Sequence, residues 1–256
     1  MPEWLIILNV TVFGLCVGSF LNVCIFRLPR HQSIVRPRSR CTSCGRTLSW
    51  FDNLPVVSWL VLGAKCRTCK TPVSWMYPAV EIITALAFVG AYELYGLTLL
   101  GIVRTLFACA LIVLFVTDAQ HKILPNVITV PGIVIGFVFS LFLPPGWRDS
   151  LIGIVVGGGV LFAIAEAYYR VRGQEGLGMG DVKLLAMIGA FLGWKLVLLT
   201  LVLASFTGSL AGGALIVSGR GDMKYALPFG TFLAVGAFVS AIWGMPIVDW
   251  YFGFYG

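Results

Sequence analysis

Long apolar runs separated by short polar segments dominate the chain. Such runs cover residues 4–26, 77–92, 98–116, 123–143, 151–169, 182–192, 196–217 and 227–248. A helix needs about 20 apolar residues to cross the hydrocarbon core of a bilayer. Most of these runs reach or approach that length. The pattern therefore predicts an all-α polytopic membrane protein with about seven to eight hydrophobic helical segments.

Two of the runs differ from an ordinary crossing. The run at 4–26 has no basic segment before it and no small-residue cleavage site after it, so we expect a retained span and not a signal peptide. The run at 182–192 is too short for a straight crossing. It either dips into the membrane from one side or continues past Trp194 as a tilted helix, and the pattern leaves both open.

The charged residues indicate a topology. Hydrophobic residues make up 59% of the chain and charged residues only 11%. Nine of the 18 basic residues lie in the polar segment 27–75, which contains a single acid, Asp52. Basic residues collect in cytoplasmic loops, which places this segment in the cytoplasm and the N-terminus outside. Counting crossings from there, the loops at 118–122, 170–181 and 219–224 also face the cytoplasm. We attribute the net charge of +7 to this topology and expect no nucleic-acid partner.

Four of the seven cysteines form two CxxC pairs in the basic segment: Cys41, Cys44, Cys66 and Cys69. A cytoplasmic loop is reducing, which favours metal binding over disulfides. Four thiolates can surround zinc tetrahedrally and leave no position for water, so we predict a structural zinc ion. A loop with few apolar residues cannot form a core, and a metal can replace one. The alternative is four thiols without a ligand.

Two aspartates occur at run boundaries on the same predicted face. Asp181 follows Gly178-Met179-Gly180 at the start of one run, and Asp118 follows the end of another. Two carboxylates from different helices can share one proton, so that one activates water while the other polarises a carbonyl. This is the chemistry of aspartic peptide hydrolysis. The simpler interpretation is that each aspartate only caps a helix.

Two further function classes compete with a peptidase. A proton-coupled transporter would use the aspartates as a relay, but it predicts repeat symmetry, which the sequence lacks. A membrane-anchored zinc-ribbon binding module would use the basic loop and leave the aspartates without a role.

Longer motifs extend over nearly the whole chain. They are GSFLNVCIFRLP at 18–29, WFDNLPVVSWL at 50–60, YPAVE at 77–81, VTDAQHKILPN at 116–126, GMGDVKLLAMIGAFLG at 178–193 and LPFGTFLAVGA at 227–237. With the paired CxxC motifs, they make the chain resemble the bifunctional prepilin peptidases, the type IV prepilin leader peptidase/N-methyltransferases of the GxGD aspartic membrane protease family.

The resemblance implies a membrane-embedded endopeptidase. Its substrates would be type IV prepilins or type II secretion pseudopilins, from which it removes the basic leader after a glycine. The active site would face the cytoplasm from the bacterial inner membrane, with the lipid bilayer as its surroundings. The enzyme would then N-methylate the new N-terminus with S-adenosylmethionine.

The resemblance also implies site residues. Asp118 and Asp181 would be catalytic, and the four cysteines would bind Zn²⁺. The supporting active-site residues would be Gly178, Gly180, Lys183 and Pro125. The residues expected for methyl transfer are Asp52, Asn53 and Glu81.

The same reasoning divides the chain by function. Residues 1–26 would be the first transmembrane helix, 27–76 a zinc-ribbon-like domain associated with methyl transfer, and 77–256 the transmembrane peptidase domain. Glu175 and Asp222, with the catalytic pair, are the acids expected to receive a basic leader.

Overall fold

The computed structural model describes residues 2–173, 178–218 and 227–253. Helices dominate these residues. The helices are α1 (Glu3–Arg27), α2 (Val57–Val61), α3 (Met76–Tyr95), α4 (Leu99–His121), α5 (Asn126–Ser140), α6 (Trp147–Arg172), α7 (Met179–Leu192), α8 (Trp194–Val217) and α9 (Phe229–Gly253). The expected docking acids Glu175 and Asp222 lie outside the described residues.

The all-α membrane fold is confirmed. Within the described ranges, six helices are long and apolar enough to cross a membrane: α1, α3, α4, α6, α8 and α9. The other two apolar runs form the shorter helices α5 and α7. Each of the eight predicted runs therefore corresponds to one helix.

The first compact unit, Met1–Val113, contains an antiparallel pair of helices, α1 and α3. Glycines allow the two backbones to approach closely: a Cβ on Gly14 would lie 2.7 Å from the Ala85 Cα, and one on Gly18 would lie 2.6 Å from the Glu81 Cα. Asn22 Nδ2 extends the contact by donating to the Tyr77 carbonyl at 3.0 Å. Small residues at the contact are typical of helix pairs in membranes.

The segment between α1 and α3 has little regular structure. It contains two short 3₁₀ turns (Leu28–Arg30 and Trp50–Asn53), the five-residue helix α2, and two isolated β-bridges. The boundary of the first compact unit at Val113 does not coincide with a boundary of the three functional segments expected from the sequence. That functional division stays a prediction.

The second unit, Leu114–Gly256, is built around α7. From Asp181 to Leu192 every residue of this helix except Lys183 is buried, and it packs against α5, α6, α8 and α9. A helix that is apolar on all sides is expected to be enclosed by protein. Its 14 residues rise only about 21 Å, which is short of a ~30 Å hydrocarbon core.

The continuation of α7 past Trp194 as one tilted helix is excluded. The helix ends at Leu192, and Gly193 adopts φ 81°, a left-handed conformation that interrupts the helix before α8 begins at Trp194. Glycine adopts such angles without steric cost. The run at 182–192 is short because it lies inside the unit, where neighbouring helices cover it.

α6 lies antiparallel to α7 and extends past its beginning. Ser150 Oγ donates to the Ala190 carbonyl at 2.8 Å, and a Cβ on Gly157 would lie 2.6 Å from the Leu185 carbonyl oxygen. In this register the first turn of α7 is level with about Leu161. α6 continues to Arg172, roughly 16 Å further along its axis. The N-terminus of α7 is therefore recessed relative to the end of α6.

We predict that Gly153→Ala destabilises the packing of α6 on α7. The added Cβ would lie 2.5 Å from the Gly189 carbonyl oxygen, and because both groups are backbone, a helix must move. The expected loss is about 1–3 kcal/mol, measured as a lower Tm in detergent. Gly159→Ala on the same helix is the matched control, since its Cβ would meet nothing within 4 Å. Equal Tm values for the two variants would contradict this account.

Candidate functional site

Asp118 is buried near the C-terminal end of α4, with 4% of its surface exposed. Its Oδ2 atom accepts two hydrogen bonds from Thr231 in the first turn of α9. The backbone N–H donates at 2.7 Å and the hydroxyl at 3.0 Å. A buried carboxylate requires such donors, because an unpaired buried charge is costly.

Asp181 lies in the first turn of α7, two residues beyond the first helical residue Met179. Its backbone N–H donates to the Gly178 carbonyl at 3.0 Å, and the Gly178 backbone hydrogen-bonds its side chain. The carboxylate also interacts electrostatically with Asp118. Two aspartates 63 positions apart in the sequence are thus brought into one site.

Leu124 occupies the space between the two helix ends that carry this site. A Cβ on Gly180 would lie 3.1 Å from the Leu124 Cβ, and one on Gly230 would lie 2.8 Å from the Leu124 Cδ1 and 3.0 Å from the Asp118 Oδ2. Both positions are packed tightly against the Leu124 side chain, so a larger residue at either one would require this leucine to move. The glycine before Asp181 has this packing role.

The N-terminus of α5 lies beside that of α7. Lys183 Nζ donates to Asn126 Oδ1 at 2.9 Å, and Pro125 is the residue before the first turn of α5. Helix N-termini carry partial positive charge and favour nearby anions. The expected supporting residues Gly178, Gly180, Lys183 and Pro125 all lie at these helix ends.

Thr231 is the site residue that the sequence reasoning missed. It occurs in the motif LPFGTFLAVGA, which contributed to the resemblance but received no role. A threonine in the first turn of an apolar run is also common as an ordinary helix residue. The available signal was its position at the same predicted membrane face as the two aspartates.

The two CxxC segments adopt the same backbone geometry. Cys41 N–H donates to the Arg46 carbonyl and Cys66 N–H to the Thr71 carbonyl, both at 2.9 Å. In each turn the residue after the second cysteine has positive φ, 70° at Gly45 and 58° at Lys70. The turns point their thiols toward one another, and the four sulfur atoms all lie within 4.8 Å of each other.

This cluster can hold a metal ion. Thiolates around zinc are about 3.8 Å apart for Zn–S bonds of ~2.3 Å, and Cys41 Sγ lies 3.7 Å from Cys69 Sγ. The thiolate is the form that binds metal, so the donor set and its spacing fit a tetrahedral cation.

The residues expected for methyl transfer line a large cavity in the first unit. It has a volume of about 1410 Å³, and Asp52, Asn53 and Glu81 all contribute to its wall. Asp52 Oδ1 accepts from Arg67 Nε at 2.8 Å. Burial raises the pKa of the Asp52 carboxyl, but the hydrogen bonds from Arg67 and the Ser49 backbone and the charges of Arg67 and Arg46 together hold it below its usual range. Glu81 Oε2 accepts from the Val56 N–H at 2.8 Å.

Comparison with known families matches both units. The Bacterial Peptidase A24 N-terminal domain matches residues 12–95, and the Type IV leader peptidase family matches residues 105–213. None of the solved structures matches the chain.

Three curated relatives that match most of the chain are each named prepilin leader peptidase/N-methyltransferase. The protein of Myxococcus xanthus is 44% identical over 78% of this chain, which spans 60% of that protein's length. The protein of Pseudomonas putida is 35% identical over 93% of this chain and 90% of its own length. That of Pseudomonas aeruginosa is 33% identical over 98% and 94%.

We predict that Cys41→Ser and Cys66→Ser each lower the zinc content of the purified protein several-fold, because a tetrahedral site that loses a thiolate binds zinc poorly. Elemental analysis of the full chain in detergent measures this. Cys109→Ala is the control, since Cys109 is buried in α4 outside the cluster. Wild-type zinc content in either serine variant would remove the cysteines from a metal role.

Proposed function

The chain belongs to the family of bacterial prepilin leader peptidase/N-methyltransferases, and we propose that Asp118 and Asp181 form its peptidase site. One observation carries this proposal: two buried carboxylates from α4 and α7 interact with each other among the N-termini of neighbouring helices. Ionisable groups at membrane depth are costly and are usually functional. Helix capping alone does not explain why both carboxylates share one site.

The two aspartates would divide the acid and base roles. Thr231 directs two donors at Asp118 Oδ2, which favours negative charge on Asp118 and leaves the shared proton on Asp181. Asp118 takes a proton from a water molecule, and the oxygen of this water attacks the scissile carbonyl carbon. Asp181 donates its proton to the carbonyl oxygen. When the C–N bond breaks, Asp118 protonates the leaving amine, and Asp181 recovers its proton from the diol.

The proposed substrates are type IV prepilins or pseudopilins cut after a glycine at the cytoplasmic face. Their scissile bond joins a basic leader to an apolar helix, so it has to be cut near the membrane surface. The start of α7 lies toward the C-terminal end of α6, which extends roughly 16 Å beyond it. Arg170 and Arg172 in the last turn of α6 support a cytoplasmic orientation of that end.

Methyl transfer is assigned to the first unit. Its cavity of about 1410 Å³ exceeds the ~300–1,000 Å³ of ordinary ligand pockets, which leaves room for S-adenosylmethionine together with a peptide N-terminus. S-adenosylmethionine supplies an electrophilic methyl group. Asp52 and Asn53 of the 3₁₀ turn and Glu81 of α3 are the residues proposed to hold the reactants there.

A structural zinc ion is proposed for the four cysteines. Two turns of identical geometry hold the thiols together, and the surrounding segment has few other means of fixing its shape. Zinc bound by four thiolates leaves no open position for catalysis. It would therefore shape one wall of the cavity, to which Cys41 and Cys66 both contribute.

The rival functions have no observation in their favour. A transporter would leave the cysteine cluster and the cavity of the first unit without a role. A zinc-ribbon binding module would leave the two interacting aspartates without one.

We predict that Asp118→Asn and Asp181→Asn each lower kcat for prepilin cleavage by roughly 10³-fold or more, since acid and base act together. The double variant should be no worse than either single one, because the pair acts as a unit. Cleavage should show a bell-shaped pH profile that belongs to the pair. The single-variant rates, the double-variant rate and the pH profile are all measured as loss of the leader from a model prepilin in detergent, detected by intact-mass spectrometry.

Asp149→Asn is the matched control for the dyad. Asp149 also lies in the first turn of a helix, α6, but it is exposed, so cleavage should be unchanged. Methylation of an already cleaved pilin should survive both dyad variants, and a chelator should not stop cleavage in a short assay. Substantial cleavage by either dyad variant would defeat the aspartic mechanism.

We predict that Thr231→Val lowers kcat for cleavage about tenfold, because it removes one hydrogen bond to a charged group and keeps the backbone N–H. KM should change little, and Thr231→Ser should restore the rate. Thr207→Val is the control, since the Thr207 hydroxyl bonds the Leu203 carbonyl on the exposed side of α8. A wild-type rate for Thr231→Val would show that the hydroxyl has no positioning role.

A further inference from the structure

Glu81 is a buried carboxylate in the wall of the first unit's cavity, and the peptidase mechanism does not use it. Only 7% of its surface is exposed. Its described hydrogen-bond donors are the Val56 N–H at 2.8 Å and the Ser19 side chain. Both donors are neutral, so they solvate the carboxylate without neutralising its charge.

The backbone around Glu81 is arranged to hold it there. Gly18 brings α1 against the Glu81 Cα, which places the neighbouring Ser19 beside the carboxylate. Val56 has φ 59°, an angle that is uncommon and strained for a β-branched residue. In this conformation its N–H reaches Glu81. Two other chain segments, α1 and the turn at Val56, therefore converge on this side chain.

The other acid that lines the cavity is already neutralised. Asp52 pairs with Arg67, and its side chain is 3% exposed. Among the described residues, Glu81 has no corresponding ion pair. A buried carboxylate that lacks a cation is costly, and a cationic ligand would relieve that cost. The cavity wall is otherwise basic, and Glu81 is the one acid of its lining that has no ion pair within the described residues, so a positively charged group would be accepted at Glu81 and not elsewhere on the wall. The basic lining residues are Arg27, Arg30, Arg36, Arg40, Arg46, Lys65 and Arg67.

α1 contributes both polar and apolar side chains to the cavity wall. Phe20, Val23 and Phe26 line the same cavity, and Phe20 is 49% exposed. A cation attached to an apolar residue would therefore fit here better than a strongly hydrated one. The N-terminus of a chain that begins with an apolar residue has this chemistry.

We propose that Glu81 binds the α-ammonium group of the methyl acceptor, the N-terminus exposed by leader removal, and accepts its proton. This rests on the proposed methyl transfer in the first unit. The ammonium loses one proton to the Glu81 carboxylate and becomes a neutral amine. The amine nitrogen then forms a bond to the methyl carbon of S-adenosylmethionine as the sulfur–methyl bond breaks. The products are an N-methylammonium, neutral S-adenosylhomocysteine and protonated Glu81, which returns its proton to water.

The test measures binding in the full-length protein in detergent. The probe is a short synthetic peptide with an N-terminal Phe, apolar following residues and a C-terminal fluorophore. It is compared with the same peptide acetylated at its N-terminus. Wild type should bind the free-amine peptide about tenfold more tightly, as expected for one charge-assisted hydrogen bond. Glu81→Gln should bind the two peptides equally, while its affinity for the acetylated peptide stays at the wild-type value.

Glu93→Gln is the matched control, because Glu93 is an exposed glutamate on the same helix. It should keep the wild-type preference for the free amine. Glu81→Asp keeps the charge but withdraws it by one methylene, and it should reduce the preference without abolishing it. Prepilin cleavage should be unchanged in all three variants. This separates the proposal from the dyad, whose failure would appear only in the aspartate variants.

The methyl donor also contains an α-ammonium group. A second pair of ligands therefore tests whether Glu81 binds the ammonium of the acceptor peptide or that of the donor. S-adenosylhomocysteine carries the amino-acid group, and methylthioadenosine lacks it. Glu81→Gln should not weaken the binding of S-adenosylhomocysteine more than the binding of methylthioadenosine. A selective loss of S-adenosylhomocysteine binding with an unchanged peptide preference would overturn the proposal and assign Glu81 to the donor. An unchanged peptide preference with no effect on either nucleoside would overturn it outright.

Discussion

Close packing around α7 is the constraint on which the second unit depends. Inside a membrane there is no hydrophobic drive to bring helices together, so association relies on van der Waals contact and small residues. Gly136 of α5 and Gly153 and Gly157 of α6 all bring backbone or side chains of the α7 region within 3 Å of where a Cβ would lie. Without these contacts a 14-residue helix could not be held at a fixed depth.

The depth of α7 in turn sets the electrostatics of the aspartate site. Because α7 begins well inside the length of α6, Asp181 lies where water is scarce and unbalanced charge is costly. The N-termini of α5, α7 and α9 supply partial positive charge there. Thr231 adds two direct donors to Asp118. A pair of carboxylates that share one proton is the arrangement that these donors and this burial can sustain.

The polar segment of the first unit is organised by its cysteine turns and not by helix packing. Its polar segment cannot form an apolar core, and two cysteine turns of equal geometry organise it instead. The resulting cavity contains one acid that is paired, Asp52, and one that is solvated only by neutral donors, Glu81. The two compact units therefore contain two sites of different chemistry.

Much of this protein was determined by the sequence itself. Most of the apolar runs reach or approach the length that a bilayer crossing requires, so the pattern predicted about seven to eight helical segments. The cysteine spacing acts over one short segment, so it predicted the cluster of four thiols. The charge distribution placed Asp118 and Asp181 at one face. These features depend on local patterns, which a single chain displays directly.

Other features were decided only by the tertiary structure. Thr231 and Asp118 are 113 positions apart, and a neutral threonine gives no pattern that points to a distant carboxylate. Leu124 fills the space between Gly180 and Gly230 only after three helix ends have met. The enclosure of α7, which explains the short run at 182–192, depends on four other helices. Such contacts arise from long-range packing, in which each residue's role is set by partners that its own neighbours in the sequence do not specify.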